Sequence, residues 1–195
     1  MNYLIFFDLF IEISYEEASK LDSSYRHAAH AFICCKNDNK LWSLDLEANI
    51  FMQLRFDGHV GFPGGFIDPT DGSWEDGLNR ELDEEINLDK KFYFDKENYL
   101  FTYVIDKVVL HFYGKQFSLD EYQQIESESF KSHDYGGEVM GVLKPPLFET
   151  NRGFGFSVFI RNQFIGCALM QLIRSMLYFR ILPNDKLVKA ISYDP

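Results

Sequence analysis

Hydrophobic and polar positions change their spacing several times along the chain, and each change predicts an element. Arg26 to Cys35 (RHAAHAFICC) is rich in small and apolar residues and predicts a strand. The polar stretch Lys36 to Lys40 (KNDNK) reads as a hairpin turn, with Trp42 to Leu46 as the returning strand. A further strand is predicted around Asn49 to Phe56 (NIFMQLRF), closed by the turn signature Asp57-Gly58. Gly61, Pro63, Gly64, Gly65, Pro69, Asp71 and Gly72 then mark a loop feeding a helix. Ser73 is a good N-cap, with Asp76 three residues on as a variant of the capping box. Trp74, Leu78, Leu82 and Ile86 repeat every four residues as one apolar stripe, and Asn87 can end the helix in the left-handed conformation. Leu100 to Gln116 predicts two strands with a turn near Asp106-Lys107, and Ser118 to Glu128 predicts a short acidic helix. After the break at Pro145-Pro146, Ile165, Ala168, Leu169, Leu172, Met176 and Phe179 form a long amphipathic stripe able to serve either the core or a dimer contact. Strands flanked by two or three helices predict an α+β or α/β sandwich, without internal repeats or a long linker.

Composition bounds this picture. A chain of 195 residues with 46% hydrophobic content supports one sizeable core, so 1–195 reads as one domain. Twenty phenylalanines and 17% aromatics argue for an ordered interior. The formal charge of −11 repels a phosphate backbone, so an anionic substrate needs local positive charge, and a bound divalent cation would supply it. Cys34, Cys35 and Cys167 offer neither a CxxC spacing nor an even-numbered framework. They read as reduced thiols of an intracellular protein, the adjacent pair straddling the two faces of a strand. Tyr3 to Ile13 is apolar but lacks a basic leading region and carries Asp8 and Glu12, which disfavours a secretory or membrane-spanning segment.

Within the helix predicted after Ser73, Glu81, Glu84 and Glu85 fall at i, i+3 and i+4 and project over one partly exposed surface beside the apolar stripe. Taken alone, three such carboxylates are most often a solvated acidic face. Their context favours a site for a hard divalent cation. A Gly-Gly loop lies just upstream, and Arg80 can pair with Glu84 one turn on and orient it.

These residues resemble a known family. Arg80-Glu81-Leu82-Asp83-Glu84-Glu85 followed by Ile86-Asn87-Leu88 looks like the core of the Nudix box, with Gly65 near its opening glycine. Two positions depart from it: the box's first glutamate is replaced by Gly72, with one extra loop residue, and its last glycine is Asn87. MQLRFDG from Met52, GFPGGF, DGLNREL, YRHAAHA near Tyr25, HFYGK at His111 and NQFIGCALMQL at Asn162 extend the likeness over most of the chain. They are similar to the eukaryotic Nudix enzymes that decap small nucleolar RNA and hydrolyse inosine diphosphates.

The resemblance implies a Nudix fold with a mixed β-sheet sandwiched between helices, and hydrolysis of a diphosphate linkage with Mg²⁺ or Mn²⁺. Gly64 (through its carbonyl), Glu81 and Glu85 would bind the metal, and Glu84 would assist or act as base. The same resemblance puts His30, Arg55, Phe62 and Gln171 in a pocket for a purine nucleotide or a capped RNA 5′ end. Phe62 can stack on a base, His30 and Gln171 can read base edges, and Arg55 can meet a phosphate. Each also has a plainer role, as buried histidine, packing ring, cap or surface ion pair. A metal-side histidine of the family has no counterpart at the expected spacing, where Tyr103 lies nearest, and His27, His59 and His133 read as structural or exposed. An intracellular location in nucleus, nucleolus or cytoplasm follows from the likeness. Two alternatives stand beside the hydrolase: a catalytically silent RNA- or protein-binding relative, and a Nudix enzyme for ADP-ribose conjugates.

Overall fold

The computed structural model describes residues 9–148, 150 and 155–192; the Tyr3 to Asp8 part of the apolar start lies outside them. The chain runs through β1 (Ile11–Ile13), α1 (Tyr15–Ala18), β2 (Arg26–Leu41), β3 (Leu44–Ile50), β4 (Met52–Arg55), β5 (Val60–Gly61) and β6 (Gly64–Phe66) to α2 (Trp74–Ile86). It continues through β7 (Tyr99–Ile105), β8 (Val108–Phe117), α3 (Leu119–Ser129), β9 (Val139–Leu143), α4 (Phe156–Phe159) and α5 (Ala168–Tyr178) to α6 (Asn184–Ser192). The main sheet has the order β1-β7-β8-β2-β3, with β6 also on β2, and a smaller sheet has the order β5-β4-β9. β2 and β8 run parallel and their other neighbours antiparallel, so the main sheet is mixed as expected.

β2 organises the molecule because its 16 residues are long enough for three partners. β8 lies along one edge from Arg26 to Cys35. The other edge takes β6 at Ala28 to His30 and β3 from Cys34 onward. Side chains alternate across the strand, so Phe32 and Cys34 enter one apolar cluster while Ala29, Ala31, Ile33 and Cys35 enter another. The first cluster joins the sheet to α5 and α6 through Leu172, Met176 and Leu187. The second joins it to α2 and α3 through Leu78, Leu82, Ile86, Tyr122 and Ile125. Helices therefore cover both faces, and the adjacent cysteines do straddle them, both fully buried.

Two expectations are corrected. The KNDNK segment remains strand, and the hairpin turns at Trp42-Ser43, with Trp42 in the left-handed region at φ 55°. Residues 38–41 lie exposed, so polarity there marks a strand running out beyond the core rather than a loop. The run Asn49 to Phe56 is not one strand. β3 ends at Ile50, the Phe51 N–H donates to the Ile33 carbonyl at 2.9 Å, and the chain crosses into the smaller sheet as β4. The turns at Asp57-Gly58 and Asp106-Lys107 fall where expected, as does the acidic helix, capped by Ser118.

The C-terminal stripe serves the core. Ala168, Leu172 and Met176 are buried, and Leu169 and Phe179 pack against them. Arg174 of α5 also grips Glu12 of β1 with two hydrogen bonds of 2.7 Å and donates to the Tyr103 hydroxyl at 2.7 Å. Among the described residues no helix is long and apolar enough to cross a membrane.

Candidate active site

The apolar stripe sets how α2 lies on the sheet, and that orientation distributes the acids. Ser73 caps the helix by accepting the Asp76 N–H at 3.0 Å, and Asn87 ends it at φ 51°. Leu78, Leu82 and Ile86 are fully buried. Glu81 then keeps 18% of its side chain exposed and Glu84 43%, whereas Glu85 is only 5% exposed as a residue. The expectation that all three project over a partly exposed surface is thus corrected for Glu85. Seven residues, nearly two turns, separate it from Leu78, which brings it round to the inner side of the helix.

The loop before the helix is pressed against these acids. Gly64 faces His30 across β6 and β2, and its N–H donates to Glu85 Oε2 at 2.8 Å. At φ 126°, with the Ala29 carbonyl oxygen 2.2 Å from where a Cβ would sit, the position admits only glycine. At Gly65 a Cβ would lie 2.4 Å from Glu81 Oε2. Arg80 then ties loop and helix together. Its Nη1 donates to Glu81 at 2.9 Å and Glu84 at 3.2 Å, its Nε and Nη2 to Asp71 at 3.2 Å each, and its Nη2 also to the Phe66 carbonyl at 2.9 Å. Asp71, the residue before Gly72, thus places a loop carboxylate on Arg80.

Burial dominates the electrostatics. It pushes Glu85 up to about 8; the Gly64 N–H opposes this, Glu81 adds to it, and Arg55 and the Gln53 amide pull the other way. Glu81 is likewise raised, by burial first, against the pull of Arg80. Asp71 is lowered by its hydrogen bonds from Arg80. Among the described residues no three carboxylate, imidazole or thiol groups converge on one point as the side chains stand, since Arg80 engages Glu81 and Glu84. The donor chemistry nonetheless fits a hard divalent cation. Two carboxylates with raised proton affinity share a dry place, and all their donor atoms are oxygen.

The expected pocket residues occupy different settings. Burial pulls His30 down to about 4, with Arg55 adding to the effect, so the ring is neutral, and its buried Nδ1 has no partner. Arg55 donates to Asp57 at 3.1 and 3.2 Å and acts electrostatically on both His30 and Glu85. Phe62 is 5% exposed and lies in the core, edge-on to Phe112 at 5.0 Å and tilted to Phe32 at 5.8 Å. Gln171 is buried on α5. Just before that helix the chain is tied to β5: the Val60 N–H donates to the Gln163 carbonyl at 2.7 Å and the Ile165 N–H to the Val60 carbonyl at 3.0 Å. Tyr103 is engaged by Arg174, while His59 and His133 stand beside Asp57 and Asp134.

Sequence reasoning missed a cluster that seats the start of α2. The Trp74 ring stacks on His111 at 3.8 Å. His111 hydrogen-bonds Thr102 through Nδ1 and His27 through Nε2, both at 2.9 Å, and the Tyr113 hydroxyl donates to Glu75 at 2.7 Å. Two of these residues, His111 and Tyr113, fall at alternate positions on β8 with Trp74 and Glu75 opposite, and the aromatic run HFY was the available signal.

A match to the profile of the Nudt16-like family, described as U8 snoRNA-decapping enzyme-like, spans residues 27–182. The chain belongs to the Nudt16-like family. The U8 snoRNA-decapping enzyme of Mus musculus is 36% identical over 183 residues, covering 91% of this chain and 94% of that protein. The Tudor-interacting repair regulator protein of Mus musculus is 33% identical over 186 residues, covering 93% and 87%. In structure, a MutT/nudix family protein from Enterococcus faecalis superposes with a TM-score of 0.52 at 12% identity, over 92% of this chain and 75% of that one, which shows the Nudix fold. This Nudt16-like chain is a Nudix hydrolase, of a class that generally uses divalent metal ions.

Proposed function

We propose that the chain hydrolyses a diphosphate linkage in purine nucleoside diphosphates of the inosine type, in the 5′ cap of RNA, or in both, with Mg²⁺ or Mn²⁺. The observation that carries this reading is Glu85, a buried carboxylate clamped by the Gly64 N–H beside Glu81, where raised proton affinity marks a place wanting positive charge. Glu81, Glu85 and the Gly64 carbonyl would hold the metal, with Glu84 assisting. Once bound, a divalent cation neutralises the phosphates, polarises the attacked phosphorus and acidifies a water.

The chain's own residues do the rest. Arg80 holds Glu81 and Glu84 in register, and Glu84, the most exposed of the three, accepts the proton from the attacking water. Arg55 meets a phosphate while Asp57 orients it. Neutral His30 and buried Gln171 read the base edge, and Phe62 closes the pocket wall. Water adds to phosphorus and the bridging P–O bond breaks, leaving a nucleoside monophosphate and phosphate from a nucleoside diphosphate, or a 5′-monophosphorylated RNA and the cap nucleoside diphosphate from a capped RNA. Decapping of small nucleolar RNA would place the work in the nucleus, and decapping of mRNA in the cytoplasm as well. Self-association would use the apolar surface left at Leu177, Tyr178, Val188 and Ile191.

Likeness to the repair regulator favours a second reading, a binding protein without turnover. Glu81, Glu84 and Glu85 argue against it. The test is a panel of inosine, guanosine and adenosine diphosphates, ADP-ribose and capped RNA, each with Mg²⁺, Mn²⁺ or excess chelator. Turnover of a purine diphosphate or capped RNA that chelator abolishes is expected; activity surviving exhaustive chelation, or no turnover at all, overturns the proposal. Within the panel, Gln171→Ala is expected to narrow the gap between inosine and adenosine diphosphate in kcat/KM. A common factor for both would make Gln171 structural.

A further inference from the structure

The turn from β4 to β5 is short and heavily cross-bonded. The Arg55 N–H donates to the His59 carbonyl at 2.9 Å and the Gly58 N–H to the Arg55 carbonyl at 3.0 Å, with Gly58 at φ 81°. Asp57 accepts the His59 N–H through one oxygen at 3.1 Å, and Arg55 Nε and Nη2 through the other. The Phe56 N–H is engaged as well, donating to the Glu138 carbonyl at 2.9 Å. The Phe56 side chain, carried on this rigid frame, joins neither apolar cluster. It is 60% exposed, and the Arg55 guanidinium carbon stands 5.4 Å from its ring centre.

A single exposed aromatic is ordinary on a protein surface, so the position of this one matters more than its exposure. The Arg55 stem crosses Gly61, where a Cβ would lie 3.3 Å from Arg55 Cδ, and three residues further on Gly64 holds Glu85. On the other side, the Asp134 N–H donates to the Glu84 carbonyl at 3.1 Å. A turn in which the Gly137 and Val139 N–H groups both donate to the Asp134 carbonyl, at 3.0 and 3.1 Å, then presents Glu138 to Phe56. The tip is therefore tied both to the strand before Gly64 and to the helix that carries the acids. Asp57 occupies Arg55 Nε and Nη2, which leaves Nη1 as the edge free for a phosphate. Phe66, another exposed ring close to the glycine loop, has the Arg26 guanidinium over its face at 3.8 Å.

The phosphates of an RNA cap join two nucleosides. With one base turned inward to His30 and Gln171, the other nucleoside leaves outward past the phosphate that Arg55 meets. We propose that Phe56 is the platform for this second nucleoside: its exposed face stacks on the first transcribed base of a capped RNA, a contact that a nucleoside diphosphate cannot make. This role rests on the pocket reading above and makes capped RNA the preferred substrate class of the same site. A ring on a backbone already ordered by hydrogen bonds loses little freedom when it stacks. Stacking also suits a chain of charge −11, because it adds affinity without further contacts to the phosphate backbone.

The experiment compares wild type with Phe56→Ala, Phe56→Leu, Phe56→Trp and Phe66→Ala, in the presence of Mg²⁺. Calorimetry gives Kd for methylene-bridged, hydrolysis-resistant analogues of guanosine diphosphate and of the cap dinucleotide GpppG. Turnover gives kcat/KM for the natural forms of both and for a capped RNA oligonucleotide, and Tm is followed in parallel. Wild type is expected to prefer the cap dinucleotide and capped RNA over the diphosphate. Phe56→Ala should cut that preference about 5- to 150-fold, the range of base–aromatic stacking. Phe56→Leu, which keeps apolar bulk without a π face, should lose it too, whereas Phe56→Trp should keep it. No preference in wild type, a Phe56→Ala loss by one common factor for all ligands, or a loss seen in Phe66→Ala and not in Phe56→Ala overturns the inference. So does a Tm lowered alike in all three Phe56 variants, which would make the ring structural. If wild type hydrolyses none of these substrates, the hydrolase reading fails, and the Kd ratio between the two analogues still decides the role of Phe56.

Discussion

Glu85→Gln is the substitution whose consequences the structure fixes most sharply, because it should remove function while improving the metal-free fold. Burial moves the carboxyl from an ordinary 4.5 to about 8. At about 1.36 kcal/mol per tenfold change in proton affinity, that displacement is worth about 5 kcal/mol, a ceiling because buried sites relax and admit water. The sign follows from linkage. The unfolded chain releases this proton near pH 4.5, whereas the folded protein keeps it until about 8, so wild-type stability falls across that window and is flat above it. Glutamine has no proton to lose, and its amide oxygen can still accept the Gly64 N–H. Urea unfolding with chelator at pH 5 and pH 8.5 measures the difference. At pH 8.5 the variant should be more stable by about 3 to 5 kcal/mol, and at pH 5 the two should agree within about 1 kcal/mol. Saturating Mn²⁺ should stabilise wild type and leave the variant unmoved, and the variant should lack turnover. A variant less stable than wild type at pH 8.5, or a gap independent of pH, would refute the argument.

Other substitutions test other parts of the arrangement. Gly65→Ala places a methyl 2.4 Å from Glu81 Oε2 and should cut kcat about 10²-fold with little change in Tm; normal turnover would show that Glu81 can move without consequence. Phe62→Ala empties a core position and should cost about 3 to 5 kcal/mol in urea unfolding, while Phe62→Leu should keep most of that stability and so expose any separate effect on nucleotide KM. Burial pulls His111 down to about 3, so the unfolded chain takes up a proton near pH 6.5 that the folded protein refuses, and stability should drain away as pH falls below 6.5. His111→Gln should flatten that acid limb, and an unchanged slope between pH 6.5 and 4 would count against the buried pair.

Much of α2 was legible in the sequence because independent local signals coincided: a capping serine, a four-residue apolar repeat, a left-handed terminator and an acidic row beside an arginine. The burial of Glu85 was not, although its spacing from Leu78 carried a hint, because depth depends on the sheet that the helix lies on. The misplaced hairpin turn has a similar cause. β2 runs past the core with both faces exposed, so nothing alternates there, and the turn itself uses Trp42, whose side chain gives no turn signal. One apolar run concealed the switch of sheets at Phe51 because strands on both sides of it are buried. The Trp74–His111–His27 stack could not be read locally either, since its members lie on separate strands and a helix.

The placement of Cys34 and Cys35 gives the molecule a pair of internal chemical clocks. The two thiols are neighbours in sequence but point into separate apolar layers, one shared with α5 and α6, the other with α2 and α3. Facing opposite sides of a single strand, they cannot bridge to each other, and burial holds Cys34 up at about 12, so neither is nucleophilic in the closed state. Alkylation of each sulfur is therefore gated by the opening of its own layer. Peptide-resolved labelling rates would tell whether the α5–α6 side and the α2–α3 side of the sheet come apart as one cooperative unit or in sequence, without any added probe.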